Sequence, residues 1–165
     1  MAYTKNAKRP LIFFTDYAEI RDGNIVESNK LLRIKRIMLF ILRPKSMWGS
    51  RFARRRVLSM GSPICCPSIT YYKPNLMEPV FLNGFRSNED WEAEERISQL
   101  DGEFIFCNKI LTYHRIHEDS ETSKIIHDSK RSEEDYAMYR KFWPSGIARI
   151  LTKLYSSSEK SNNIK

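Results

Sequence analysis

At 165 residues the chain has the length of one domain with a core of its own. Its 41% hydrophobic and 12% aromatic content excludes a disordered chain, and its net charge of +8 (pI near 9.5) favours an anionic partner: nucleic acid, a membrane surface or a phosphorylated ligand. Three cysteines, without CxxC or His/Cys spacing, argue against a disulfide framework and a structural zinc, and the longest apolar run, residues 37–42, is too short to span a bilayer.

Residues 1–10 are polar and basic and read as a disordered N-terminus. Leu11, Ile12, Phe13 and Phe14 form a compact apolar run, the pattern of a buried strand ending at Thr15, Asp16 and Tyr17. Asp16 is then either a polar residue at a ligand crevice or a turn former. Asp22, Gly23 and Asn24 are a strong turn signal, and residues 25–27 suit a short returning arm. Residues 30–43 are helical in pattern, with apolar positions at Leu31, Ile34, Met38, Leu39, Ile41 and Leu42, and Pro44 ends the helix.

A basic, loosely ordered stretch is expected over residues 45–56, where Arg51, Arg54, Arg55 and Arg56 accompany Trp48 and Phe52. A nucleic-acid patch, a membrane-surface segment and a plain solvated helix face all have this composition. No nucleic-acid module signature accompanies the run, which argues against nucleic acid. Residues 64–72 are rich in strand formers, with Pro67 implying an edge or a bulge. Cys66, Ser68 and Thr70 alternate with bulkier residues, so one face of this strand suits a cavity wall. A catalytic cysteine is the sharper alternative, although no base partner stands nearby in sequence.

Asn88, Glu89, Asp90 and Trp91 follow a glycine-bearing turn and open an amphipathic helix over 91–100, with apolar residues recurring at Trp91, Ala93, Ile97 and Leu100, close to helical spacing. Ser87 or Asn88 suits the N-cap, and Asp101 with Gly102 stops the helix. A helix N-terminus favours anions, so Glu89 and Asp90 are both expected to ionise readily. The plain reading of this pair is acids complementing a helix dipole. Residues 103–113 read as one or two short strands leading to His114, Arg115 and His117. On strand alternation Arg115 and His117 share a face. They form either a surface loop or a phosphate or metal contact. Residues 130–155 read as two helices broken at Trp143 and Pro144, with an apolar stripe from Tyr136 to Leu154, and residues 156–165 read as a disordered tail.

In order, these segments are Phe14-Thr15-Asp16-Tyr17, a basic helix, Cys66-Pro67-Ser68, Gly84-Phe85, Asn88-Glu89-Asp90-Trp91 and Tyr113-His114-Arg115-Ile116-His117. The set resembles the C-terminal, acceptor-binding half of the family 2 glycosyltransferases, over residues 11–155. The resemblance implies an α/β, partial GT-A-like fold: a mixed sheet flanked by helices in a single truncated domain. It implies transfer of a sugar from a nucleotide diphosphosugar to an acceptor hydroxyl, in polysaccharide or cell-envelope glycan synthesis. Asp90 is then the general base, with Glu89 second. Cys66, Pro67 and Ser68 shape the acceptor pocket, and Trp91 stacks on a sugar or belongs to the core. Arg115 and His117 contact the diphosphate, and His117 contacts the metal.

The family's cofactor is a divalent metal, manganese or magnesium, held by an Asp-x-Asp or Asp-Asp pair. This sequence has neither pair. The resemblance therefore implies a truncated form, inactive alone. The alternative is a non-catalytic basic module that completes a partner chain or docks at membrane or nucleic acid. The expected partners are a nucleotide-sugar donor and a glycan or lipid-linked acceptor. The expected location is the cytoplasm, at the inner face of the membrane if the acceptor is lipid-linked.

Overall fold

The computed structural model describes residues 7–116 and 129–160. Strand β1, Pro10–Arg21, is the axis of the fold. Along one edge it pairs in parallel with β4, Glu103–Ile116, over its whole length. Two short antiparallel strands share the other edge. β3, Ile69–Tyr71, pairs with residues 12–14, and β2, Asn24–Val26, pairs with residues 19–21. The result is an α/β chain with a mixed four-stranded sheet flanked by helices.

Two strands exceed their sequence patterns. β1 does not stop at Tyr17, because partners on both edges satisfy its backbone through Arg21. β4 is one strand rather than two. Its register against β1 jumps from Thr15↔Cys107 to Asp16↔Ile110, so Asn108 and Lys109 bulge out to solvent and the ladder resumes beyond them. The expected returning arm is β2. Its hairpin turn places Asp22 at φ 49° and Gly23 at φ 79°, the left-handed pair that a two-residue hairpin loop needs.

Among the described residues, five α-helices flank the sheet. α1, Lys30–Leu39, is capped by Asn29, whose side chain accepts from the Leu32 amide, and a single 3-10 turn carries the chain on to Leu42. α2 is Arg51–Leu58 and α3 is Glu89–Ser98. α4, Ser129–Arg140, and α5, Ser145–Lys160, are separated at Trp143 and Pro144 as expected. α5 passes through position 156, where the tail was expected to begin. At the other end Pro10 already belongs to β1, and the Lys8 amide donates to Glu103. The core joins Leu11, Phe14, Leu58, Trp91, Phe104 and Tyr139 between sheet and helices. The apolar stripe of α5 divides. Ala148 and Thr152 are buried, whereas Ile147, Ile150 and Leu154 lie at the surface. On α1 Leu32 and Leu39 are buried and Ile34 is exposed.

The basic stretch is ordered as α2, held by the Ser50 side chain at its N-cap and by the Trp48 indole, which donates to Leu42 O. Its cations are engaged by the protein's own groups, two of them at the surface. Arg51 pairs with Asp101 and Arg55 with Glu95, while Arg56 lies over the Trp143 ring. Arg54 is fully buried. Its guanidinium donates to Leu100 O and Gly102 O at the end of α3 and stacks over Phe104, 5.3 Å from the ring centroid. Burial, with Arg51 adding to it, lowers its pKa to about 10. Arg54→Met is expected to cost about 2–3 kcal/mol: two carbonyls lose a charged donor, and relief of the buried cation offsets part of that loss. Denaturant unfolding of this variant beside Arg56→Met, which is expected to stay within about 0.5 kcal/mol of the parent, checks it.

Candidate active site

The N-terminus of α3 is fixed from a distance. Neither Ser87 nor Asn88 caps it through a side chain. Instead the Glu134 carboxylate of α4 accepts from the amides of Arg86, Ser87 and Asn88, at 2.9, 2.8 and 3.1 Å. The Asn88 side chain donates to Asp135 at 2.7 Å. Two acids of α4 thereby clamp the loop that presents Glu89 and Asp90.

Glu89 is exposed and Asp90 half-buried. Burial raises the pKa of Asp90, against the pull of the Trp91 amide, which donates to it at 2.7 Å, and of the Lys35 cation. The expectation that both acids ionise readily therefore fails for Asp90: desolvation outweighs the helix terminus. One turn on, Glu94 has no exposed surface, and neither carboxylate oxygen has a hydrogen-bond partner. Its pKa is raised well above the usual 4.5, first by burial and then by Asp90. The Tyr71 hydroxyl, from β3, is likewise buried and unpartnered. Burial and then Glu94, Cys66 and Asp90 raise its pKa.

Cys66 and Pro67 are exposed on a single 3-10 turn that leads into β3. Ser68 is buried, and its hydroxyl donates to Cys65 O at 2.7 Å, closing that turn rather than facing a ligand. Burial, followed by Asp90 and Glu94, pushes the Cys66 thiol up to about 11. Burial pushes Cys65 up to about 12. A cysteine nucleophile needs a lowered value, so the cysteine alternative has no support here. Lys35 of α1 supplies the positive charge of the cluster. Burial acts to lower its pKa, but Tyr17, Tyr155 and Cys65 outweigh this and hold it above the ordinary value. Its ammonium lies 5.5 Å from the centroid of the Tyr17 ring.

The structure thus groups Asp90 and Cys66 with Glu94, Tyr71 and Lys35, and Glu89 and Pro67 lie beside them in the chain. Trp91 does not face a ligand. It is fully buried, its indole donates to Leu58 O at 3.0 Å, and its ring meets Tyr139 edge-on. Asp16 is neither a crevice ligand nor a turn former. Buried within β1, it accepts from Arg36 Nε at 2.7 Å and from the Tyr17 amide. Arg115 is exposed near the end of β4. The imidazole beside this region is that of His114, 6.3 Å from the Tyr17 ring. His117 lies outside the described residues.

Glu94, Lys35 and Tyr71 were not expected from sequence. Glu94 did carry a signal: it stands three residues from both Trp91 and Ile97, on the apolar side of the helix. A carboxylate there must be buried.

Glu94→Gln tests this burial. A raised folded-state pKa means that protonation supports folding fully in acid, and this support is lost as pH rises above the unfolded value near 4.5. The variant is therefore expected to match the parent near pH 4 and to exceed its stability by about 1–3 kcal/mol at pH 8. Urea unfolding across this range checks it; a difference independent of pH would show that Glu94 ionises like a surface acid.

No protein-family model, curated protein or solved structure matches this chain.

Proposed function

We propose that the chain forms the acceptor side of a family 2-type, GT-A-like inverting glycosyltransferase, acting in polysaccharide or cell-envelope glycan synthesis. One observation carries this reading: Asp90 is half-exposed with a raised pKa, on a clamped helix N-terminus, beside the exposed Cys66 turn. An acceptor hydroxyl placed against Asp90 loses its proton to the carboxylate as its oxygen attacks the anomeric carbon of a nucleotide diphosphosugar. The bond from that carbon to the diphosphate oxygen breaks, and the nucleoside diphosphate leaves. A carboxylate of raised pKa is the stronger base. Burial favours the neutral form of Glu94, and Lys35 balances the charge of Asp90. Tyr71 and Glu94 lie behind it as buried polar groups without partners.

The family's manganese or magnesium would hold the diphosphate. Among the described residues no group of three or more His, Cys, Asp or Glu side chains forms a metal site. The chemistry proposed for this chain is the acceptor step.

Cys66 gives a direct test, because Cys65 and Cys107 are buried. Its alkylation by iodoacetamide, followed by mass spectrometry, is expected to slow saturably with an acceptor glycan or lipid-linked sugar. No protection by any sugar of a broad panel would overturn the reading. Saturable protection by a nucleic acid or a partner protein would favour the non-catalytic module instead.

A further inference from the structure

Charge is segregated along this chain. Residues 28–77 hold eleven of its 28 Lys and Arg and none of its 20 Asp and Glu. The remaining 17 cations stand among all 20 acids. Several of the eleven are used internally, as α2 shows, but the outer face of α1 is different. Lys30, Arg33, Ile34, Ile37 and Phe40 fall within roughly one third of the helix circumference. All five are exposed, Ile37 by 74% and Phe40 by 63%. Leu32 and Leu39 occupy the opposite, buried face. Arg43, Lys45 and the exposed Met47 extend the same mixture past Pro44.

Large aliphatic side chains in water beside cations, with no acid anywhere in the stretch, need an occupant that is apolar below and anionic above. We propose that the outer face of α1 docks on an anionic phospholipid surface, with Ile34, Ile37 and Phe40 entering the acyl boundary and Lys30, Arg33, Arg43 and Lys45 meeting the headgroups. Ile34 and Ile37 neither stack on bases nor bond to phosphodiesters, so nucleic acid suits this face less well. The surface differs from Arg54 and Arg55, which are held within the fold by carbonyls of the α3 end and by Glu95. Among the described residues no helix is long and apolar enough to cross a membrane. Lys35 faces the candidate site from the inner side of the same helix, so docking would bring that site close to the lipid surface.

Co-sedimentation of the full chain with vesicles tests the proposal. Binding is expected to phosphatidylcholine vesicles containing phosphatidylglycerol, not to phosphatidylcholine alone, and to weaken in high salt. Ile37→Glu and Phe40→Glu are each expected to lower it at least about tenfold. Ile150→Glu, on the exposed stripe of α5, is expected to leave it unchanged. All three side chains are exposed, and circular dichroism checks that the variants fold. Absence of binding, equal binding to neutral vesicles, or no effect of Ile37→Glu overturns the proposal. So does an equal loss in Ile150→Glu, binding to duplex DNA in preference to vesicles, or an Ile37-dependent dimer indifferent to lipid.

Discussion

Trp91→Ala is expected to lower the free energy of unfolding by about 3–5 kcal/mol. The indole has no exposed surface and lies at the meeting of α3, α4 and α5, edge-on to Tyr139 and tilted against Tyr155, 6.2 Å away. Truncation removes that packing, opens a cavity and leaves Leu58 O without its donor. In a chain of this size such a loss displaces the melting midpoint by roughly 6–20 °C. Trp91→Phe keeps most of the volume and is expected to lose about half as much. The pair also decides what the indole does. A sugar-stacking tryptophan would lose ligand protection of Cys66 while its midpoint stayed put; a core tryptophan shows the reverse.

Asp90→Asn is the second large effect, on chemistry rather than folding. In any preparation that turns over a nucleotide diphosphosugar, the variant is expected to lower kcat about 10²–10⁴-fold with donor binding retained. Unfolding does not explain such a loss. Burial raises the Asp90 pKa, so the ionised group opposes folding at neutral pH and the neutral amide relieves that cost. The parent rate is expected to climb with pH as Asp90 gives up its proton, and this limb is expected to vanish in the variant. Turnover unchanged by Asp90→Asn would remove Asp90 as the base. Glu89→Gln, altering an exposed neighbour, is the control.

The same two residues show where sequence patterns suffice. Both were placed at the start of a helix by local signals, a glycine-bearing turn followed by acids and an apolar period, and α3 starts at Glu89. Their environments were not local. Helix periodicity puts Trp91 on an apolar side but does not say whether that side meets Tyr139 or a ligand. A helix terminus favours ionised Asp90, yet burial between elements distant in sequence reverses the direction. The clamp on the preceding loop comes from Glu134 and Asp135, 46 to 48 residues away.

Local order in this chain was thus decided by the sequence alone. The apolar run at 11–14, the Asp22-Gly23 turn, the Asn29 cap and the Trp143-Pro144 break each act within a few residues, where sterics and hydrogen bonding choose the conformation. Only the tertiary structure decided how far β1 and β4 run, because each strand's backbone is satisfied by the other across about 90 residues. It also decided which cations of the basic run are spent on carbonyls and carboxylates inside the fold, and which remain at the surface of α1. Charge and hydrophobicity are carried by the residues themselves, but solvation and partnership belong to the packed chain, and these set the protonation of Asp90 and Glu94.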